Sequence, residues 1–266
     1  MQENSPEYQV YIQLKEEINS HNHRYHVLDA PIISDAAYDQ LLVKIREMEN
    51  SHPDWVTTDS PTQRVGSQPA LKFAKVAHPA AILSLSNAFN EADLMAWKER
   101  ITKLDDRVKQ ASFVVEPKFD GLTVVLHYHN GIFVQGATRG NGEVGEDITH
   151  NLKTIRAIPL QIPLNKEEEA APARLVVRGE VYITISDFEN LNKGLLELGE
   201  KTYLNPRNTA AGSLRQLDAK ITSLRPLKIY AYSIVDAEGS VPQTQWDVLE
   251  YLKSMGFPVS QYSKLC

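Results

Sequence analysis

The chain has 266 residues, 42% of them hydrophobic and 23% charged, with a formal net charge of −6. This composition excludes a disordered or membrane-embedded chain and allows one large domain beside a smaller one, while the acidic balance argues against a wholly basic nucleic-acid binder. Cys266 is the only cysteine, so neither a disulfide framework nor a cysteine zinc site is expected, and the polar opening from Met1 to Glu7 is no signal peptide; the default setting is cytoplasmic, without a membrane partner.

Residues 8 to 29 and 35 to 49 carry apolar side chains at helical spacing, with Ser34 or Asp35 as a natural cap after Pro31. A helical hairpin is therefore predicted over most of the first fifty residues. From 51 to 80 the chain is rich in Pro, Ser, Thr and Gln and reads as an ordered connector with little regular structure. Glu91 to Lys109 has the pattern of an amphipathic helix. From Phe113 the period changes to strands: Leu122 to Tyr128 and Ile132 to Thr138 form a predicted hairpin about Asn130-Gly131.

The run Phe113-Val-Val-Glu-Pro-Lys-Phe-Asp-Gly121 ends an apolar strand on Lys118, which is expected at the tip of an antiparallel meander. A lysine at the inner end of a buried strand is either a structural ion pair or a nucleophile. In an extended chain Glu116, Lys118 and Asp120 share one face, which suits attack on a nucleotide phosphorus beside a metal; a solvated charged edge is the competing reading.

Gly136 to Gly145 is glycine-rich but lacks the lysine of a Walker loop. Residues 159 to 174 read as an exposed loop before a strand from Leu175 to Ile185. Pro206 opens a helix from Arg207 to Leu217, followed by a strand near Lys228 to Ile234 and a helix from Trp246 to Met255. Between 201 and 228 lie six basic residues against Asp218 alone, which is either a polyanion surface or the solvated face of a helix. His21, His23 and His26 are close in sequence, but with no fourth ligand no metal site is assigned.

Glu116-Pro-Lys-Phe-Asp-Gly121 resembles the nucleophile motif of covalent nucleotidyltransferases. Four further segments resemble one branch, the bacterial NAD-dependent DNA ligases. They are Tyr25-His26 with Asp35-Ala-Ala-Tyr-Asp39; Asp59-Ser-Pro-Thr-Gln-Arg-Val-Gly66; Leu83-Ser84-Leu85; and Asn205-Pro-Arg-Asn with the run ending at Asp218. The resemblance runs from about residue 8 to the end.

It implies an α+β architecture: a helical subdomain over residues 1 to 70, and over 71 to 266 an ATP-grasp-like nucleotidyltransferase core of antiparallel sheets flanked by helices. Lys118 is then the residue that attacks the α-phosphorus of NAD, releasing nicotinamide mononucleotide (NMN) and retaining AMP. Glu116 would meet the adenine amine, Glu180 the ribose hydroxyl and Arg139 the phosphate, with Asp120, Ser84 and Leu85 lining the same pocket. Tyr25, His26, Asp35, Ala36, Ala37, Tyr38 and Asp39 would recognise the nicotinamide half. Read without the family, Arg139 is a turn residue, and Tyr25 and Tyr38 are helix packing.

Arg207 and Arg215 are assigned to DNA, NAD and Mg2+ are the expected cofactors, and the family's zinc site lies outside this chain. The later lysine strands, oligonucleotide-binding fold and helix-hairpin-helix repeats of the family are not found. The expectation is thus a monomeric fragment, self-adenylating at most, that binds nicked duplex weakly. The alternatives are an ATP-using polynucleotide ligase or capping enzyme, and a non-catalytic nucleotide- or DNA-binding module.

Overall fold

The computed structural model describes residues 5–64, 72–164 and 170–266. Val65-Gly66, the expected boundary at residue 70 and the acidic loop run Lys166 to Glu169 lie outside the described residues.

Helices α1 (Pro6–His26) and α2 (Asp35–Ser51) form the hairpin. Ser5 caps the first by accepting from Tyr8 N at 3.1 Å, with Pro6 in the first turn where no donor is needed, and Ser34 caps the second. Tyr11, Leu14 and Ile18 make one buried stripe against Ile45, closed by Trp55. In its described part the connector is, as expected, ordered with little regular structure. It makes two single 3-10 turns, Pro53–Trp55 and Pro61–Arg64, and folds back onto the hairpin because buried polar groups need partners there. Lys15 Nζ donates to Asp59 at 2.9 Å and to Thr57 at 3.1 Å, and Tyr11 Oη donates to Glu49 at 3.0 Å.

Both members of the Lys15–Asp59 pair are nearly fully buried. Removing one partner leaves an uncompensated charge, so Asp59→Ala is expected to lower stability by about 3 kcal/mol. Urea unfolding followed by the Trp55 signal measures this; a loss below about 1 kcal/mol would mean that water already reaches the pair.

The larger domain begins with β1 (Lys75–Ala77), α3 (Glu91–Leu104) and β2 (Val114–Val115). Next come β3 (Leu122–His129), β4 (Ile132–Thr138), β5 (Val144–Glu146), α4 (Thr149–Lys153) and β6 (Arg174–Tyr182). α5 (Ile185–Glu197), α6 (Pro206–Leu214), α7 (Ala219–Ser223), β7 (Lys228–Glu238), α8 (Gln245–Ser254) and β8 (Lys264–Leu265) complete it. The central sheet is antiparallel in the order β4-β3-β6-β7, with β1 paired to β5 and β2 to β8 at its margins. Asn130 and Gly131 both take positive φ, 47° and 77°, as a tight hairpin demands.

Alternate residues of the sheet (Val124, Leu126, Tyr128, Leu175, Val177, Val181) bury one face against Leu152, Leu214, Leu252 and Phe257. The other face carries Val125 and Val176 against Ile82, then turns polar toward Thr123, Arg178 and Glu180. The mixed α+β architecture expected from the sequence is thus present.

Several expectations need correction. The segment from 159, read as an exposed loop, begins in the core, where Leu160 and Ile162 are buried, and the helix predicted to Leu217 ends at Leu214. The strand predicted through Ile185 stops at Tyr182, because Thr184 caps α5 through Asp187 N. The helix predicted over Glu91 to Lys109 ends at Leu104 and continues as a 3-10 turn. Lys118 is neither buried nor in a strand: β2 is two residues long, Pro117 supplies no ladder donor, and residues 116–120 cross irregularly to β3.

The two parts meet at Arg64. Its guanidinium donates to the carbonyls of Lys153 (3.1 Å), Ile155 (3.2 Å) and Ile158 (3.1 Å), and Lys153 Nζ returns a bond to Thr58 O at 2.9 Å. Among the described residues no helix is long and apolar enough to cross a membrane.

Candidate active site

Lys118 owes its position to its neighbours. Phe119 packs into an aromatic cluster, 4.5 Å from the Tyr230 ring and 5.6 Å from Tyr182, which turns Lys118 and Asp120 outward on either side. Gly121 must be glycine, since a Cβ there would lie 2.2 Å from the carbonyl oxygen of Val181. The shared face expected of Glu116, Lys118 and Asp120 is only partly realised. Lys118 and Asp120 are exposed, whereas Glu116 is half-buried against α8.

Gln245 Nε2 donates to Glu116 at 3.0 Å and to the carbonyl of Tyr232 at 2.8 Å. Burial raises the carboxyl of Glu116 above its ordinary value, opposed by the Gln245 bond. Glu180 is likewise raised by burial, opposed by a 2.8 Å bond from Thr123 Oγ1 and by the charges of Arg207, Lys118 and Arg178. The charge of Lys118 thus reaches Glu180 as a minor contribution beside burial and the Thr123 bond.

Beside them opens a cleft of about 660 Å³ lined by Thr123, Arg139, Gly140, Glu146, Arg207 and Arg215. Arg139 is held from behind: its Nε donates to Ile82 O at 3.1 Å and one Nη to Ser84 Oγ at 2.7 Å. The structure thus joins Ser84 to Arg139, but leaves Leu85 80% exposed. Arg207 pairs with Asp120 at 3.0 Å and Arg215 with Glu146 at 2.9 Å. Both arginines assigned to DNA line the same cleft as Arg139, and each lies on an acidic side chain.

A second cleft, of about 210 Å³, lies at the loop end of the helical hairpin. Tyr25, His26, Asp35, Tyr38 and Asp39 all line it; Ala36 and Ala37 do not. Tyr38 Oη donates to Asn22 Oδ1 at 2.9 Å, which fixes its ring. His26 stays neutral at pH 7: burial of its ring, with the charges of Arg156, Arg64 and Lys228, pushes the imidazole down to about 4, although part of the residue remains exposed. The facing wall comes from the sheet domain, where the Arg156 guanidinium sits 5.9 Å from the Tyr38 ring centroid.

Neither Arg156 nor Gln245 stands out in the sequence. Arg156 follows α4 in an unremarkable turn, and Gln245 is 129 residues from Glu116. Among the described residues no three His, Cys, Asp or Glu side chains converge to hold a metal ion.

Two family models match the chain: the DNA ligase-like, N-terminal NAD+-binding domain over residues 4–66, and the NAD-dependent DNA ligase adenylation domain over residues 70–266. The chain belongs to the NAD-dependent DNA ligase family. Its curated relatives include the DNA ligases of Roseiflexus castenholzii, 52% identical over 93% of this chain, and of Chloroflexus aggregans, 51% identical over 94%. The DNA ligase of Myxococcus xanthus is 47% identical over 95%. The chain spans only 36%, 37% and 37% of the length of these three ligases, so it corresponds to their NAD-binding and adenylation parts.

Proposed function

We propose that this chain carries out the first step of nick sealing: the amine of Lys118 attacks the α-phosphorus of NAD, a P–N bond forms, the pyrophosphate P–O bond breaks, and NMN leaves. What supports this reading is a cleft lined by Thr123 and a braced arginine, Arg139, with half-buried Glu180 bonded to Thr123 at its edge and within the electrostatic reach of the exposed Lys118. An arginine fixed by two bonds at its back presents its remaining donors to a phosphate without having to reorganise. Glu116, oriented by Gln245, suits an adenine amine, and Glu180, held by Thr123, suits a ribose hydroxyl. Ser84 braces Arg139, and Leu85 follows it in the chain.

The hairpin cleft is assigned to NMN. Its aromatic and acidic residues, Tyr25, Tyr38, Asp35 and Asp39, complement a cationic ring, and Arg156 complements the phosphate. Ala36 and Ala37 serve as the first turn of α2 and not as contacts. Magnesium suits this chemistry, because Asp120 and Glu180 offer hard oxygen ligands and a metal with only one or two protein carboxylates takes the rest of its shell from phosphate and water. When bound it neutralises charge developing on the phosphate.

The division into a helical NMN subdomain (1 to 70) and an adenylation domain (71 to 266) is part of the proposal, supported by their separate apolar cores. A monomer in the cytoplasm, where NAD and nicked DNA coexist, fits one exposed cysteine. For DNA, Arg207 and Arg215 are the candidate phosphate contacts. Their carboxylate partners compete with phosphate, so binding by this chain alone is weak and declines with salt.

Tyr38→Ala tests the two-cleft reading. Losing a face for the cationic ring should weaken NMN binding by roughly 0.5 to 2 kcal/mol while AMP binding stays unchanged. Calorimetry with each mononucleotide reads this directly, and equal loss of both would reduce the hairpin to a structural part.

A further inference from the structure

Arg64 is only 8% exposed, yet its hydrogen-bond acceptors are three main-chain carbonyls of the other domain, those of Lys153, Ile155 and Ile158. These carbonyls surround a single exposed side chain. Ile155, Ala157 and Ile158 are buried, and Arg156 between them is the residue that reaches over Tyr38 into the hairpin cleft. A planar guanidinium can span three carbonyls that a point-like ammonium cannot. Burial lowers its pKa to about 10, so the group stays charged at neutral pH and its bonds are charge-assisted.

We propose that Arg64 is a positioning residue for the NMN cleft: by holding the 153–158 backbone it fixes Arg156 against Tyr38, so that one wall from each domain forms a single site. The proposal rests on the reading of that cleft given above. It gives a chemical reason for a charged residue in the seam between the domains. Arg64 does not line the cleft, and it acts there chiefly by placing Arg156; its charge, which Arg64→Lys retains, adds only a minor contribution to the lowered imidazole of His26. A further bond across the seam, from Lys153 Nζ to Thr58 O, braces the interface without bonding the backbone of 155–158.

The test is a double-mutant cycle on the full chain, read by calorimetry with NMN and, separately, AMP. Arg64→Lys should weaken NMN binding by about tenfold, the worth of misplacing one charge-assisted contact, with AMP affinity unchanged. In an Arg156→Ala background the same substitution should alter NMN affinity by less than about twofold, since the residue through which it acts is gone. Lys153→Met should lower the melting temperature yet leave NMN affinity in place, which separates positioning from loosening of the seam. Should Arg64→Lys melt below the working temperature, Arg64→Gln carries the same cycle.

A full tenfold loss persisting in the Arg156→Ala background would overturn the proposal, as would equal loss of AMP binding or no loss at all. NMN binding by the parent chain that depends on Tyr38 but not on Arg64 would overturn this inference alone. Failure of the parent chain to bind NMN would overturn the reading of the cleft with it.

Discussion

Lys118→Ala is expected to abolish adenylate transfer from NAD while leaving the fold intact. The side chain is exposed and, among the described residues, makes no hydrogen bond or ion pair, so its removal should change stability by no more than about 0.5 kcal/mol. The chemistry, by contrast, has no substitute: neither Asp120 nor Glu180 can form the P–N bond, and the Phe119 anchor that presents the amine remains unchanged. Lys118→Arg should fail equally, because a guanidinium stays protonated at any pH the protein tolerates. Peptide mapping after incubation with NAD and magnesium checks the position; an adduct that persists in Lys118→Ala would move the nucleophile elsewhere.

Arg139→Ala should slow adenylation by about 10² to 10³, the usual cost of removing one preorganised donor from developing charge. The geometry favours the upper part of that range. Two of the guanidinium donors are committed to Ile82 O and Ser84 Oγ, so those remaining are aimed with little freedom left to lose. Ser84→Ala removes one brace and should cost much less. Single-turnover rates distinguish this from a binding defect: a residue that only binds ground-state NAD would raise the half-saturating concentration and leave the limiting rate alone.

Much of the scaffold was legible in the residues. The spacing of Tyr11, Leu14 and Ile18, the cap at Ser34 and the Asn130-Gly131 turn are local signals, and each determines its own element. The errors arose where distant partners decide. Phe113 to Val115 reads as a buried strand, but among the described residues its ladder runs only to the short segment Lys264 to Cys266, and Lys118 emerges into solvent. The β-branched run through Ile183 and Ile185 hides the start of α5, which is set instead by the Thr184 cap.

The site shows the same division. The candidate residues on the hairpin, Tyr25 to Asp39, lie within fifteen positions of one another and are named together by the family resemblance, whereas Arg156 is far away in the chain. The braces are not local: Ser84 and Ile82 lie 55 and 57 residues from Arg139, and Arg64 lies 94 residues from Ile158. Sequence periodicity carries no information about such pairs.

The central claim is that NAD, and not a nucleoside triphosphate, donates AMP to Lys118. Intact mass spectrometry of the chain after parallel incubation with NAD and with ATP, each with magnesium, tests it most directly. One added adenylate from NAD, none from ATP, and reversal of the adduct on adding NMN are the expected results. An adduct formed from ATP as readily as from NAD would contradict the account.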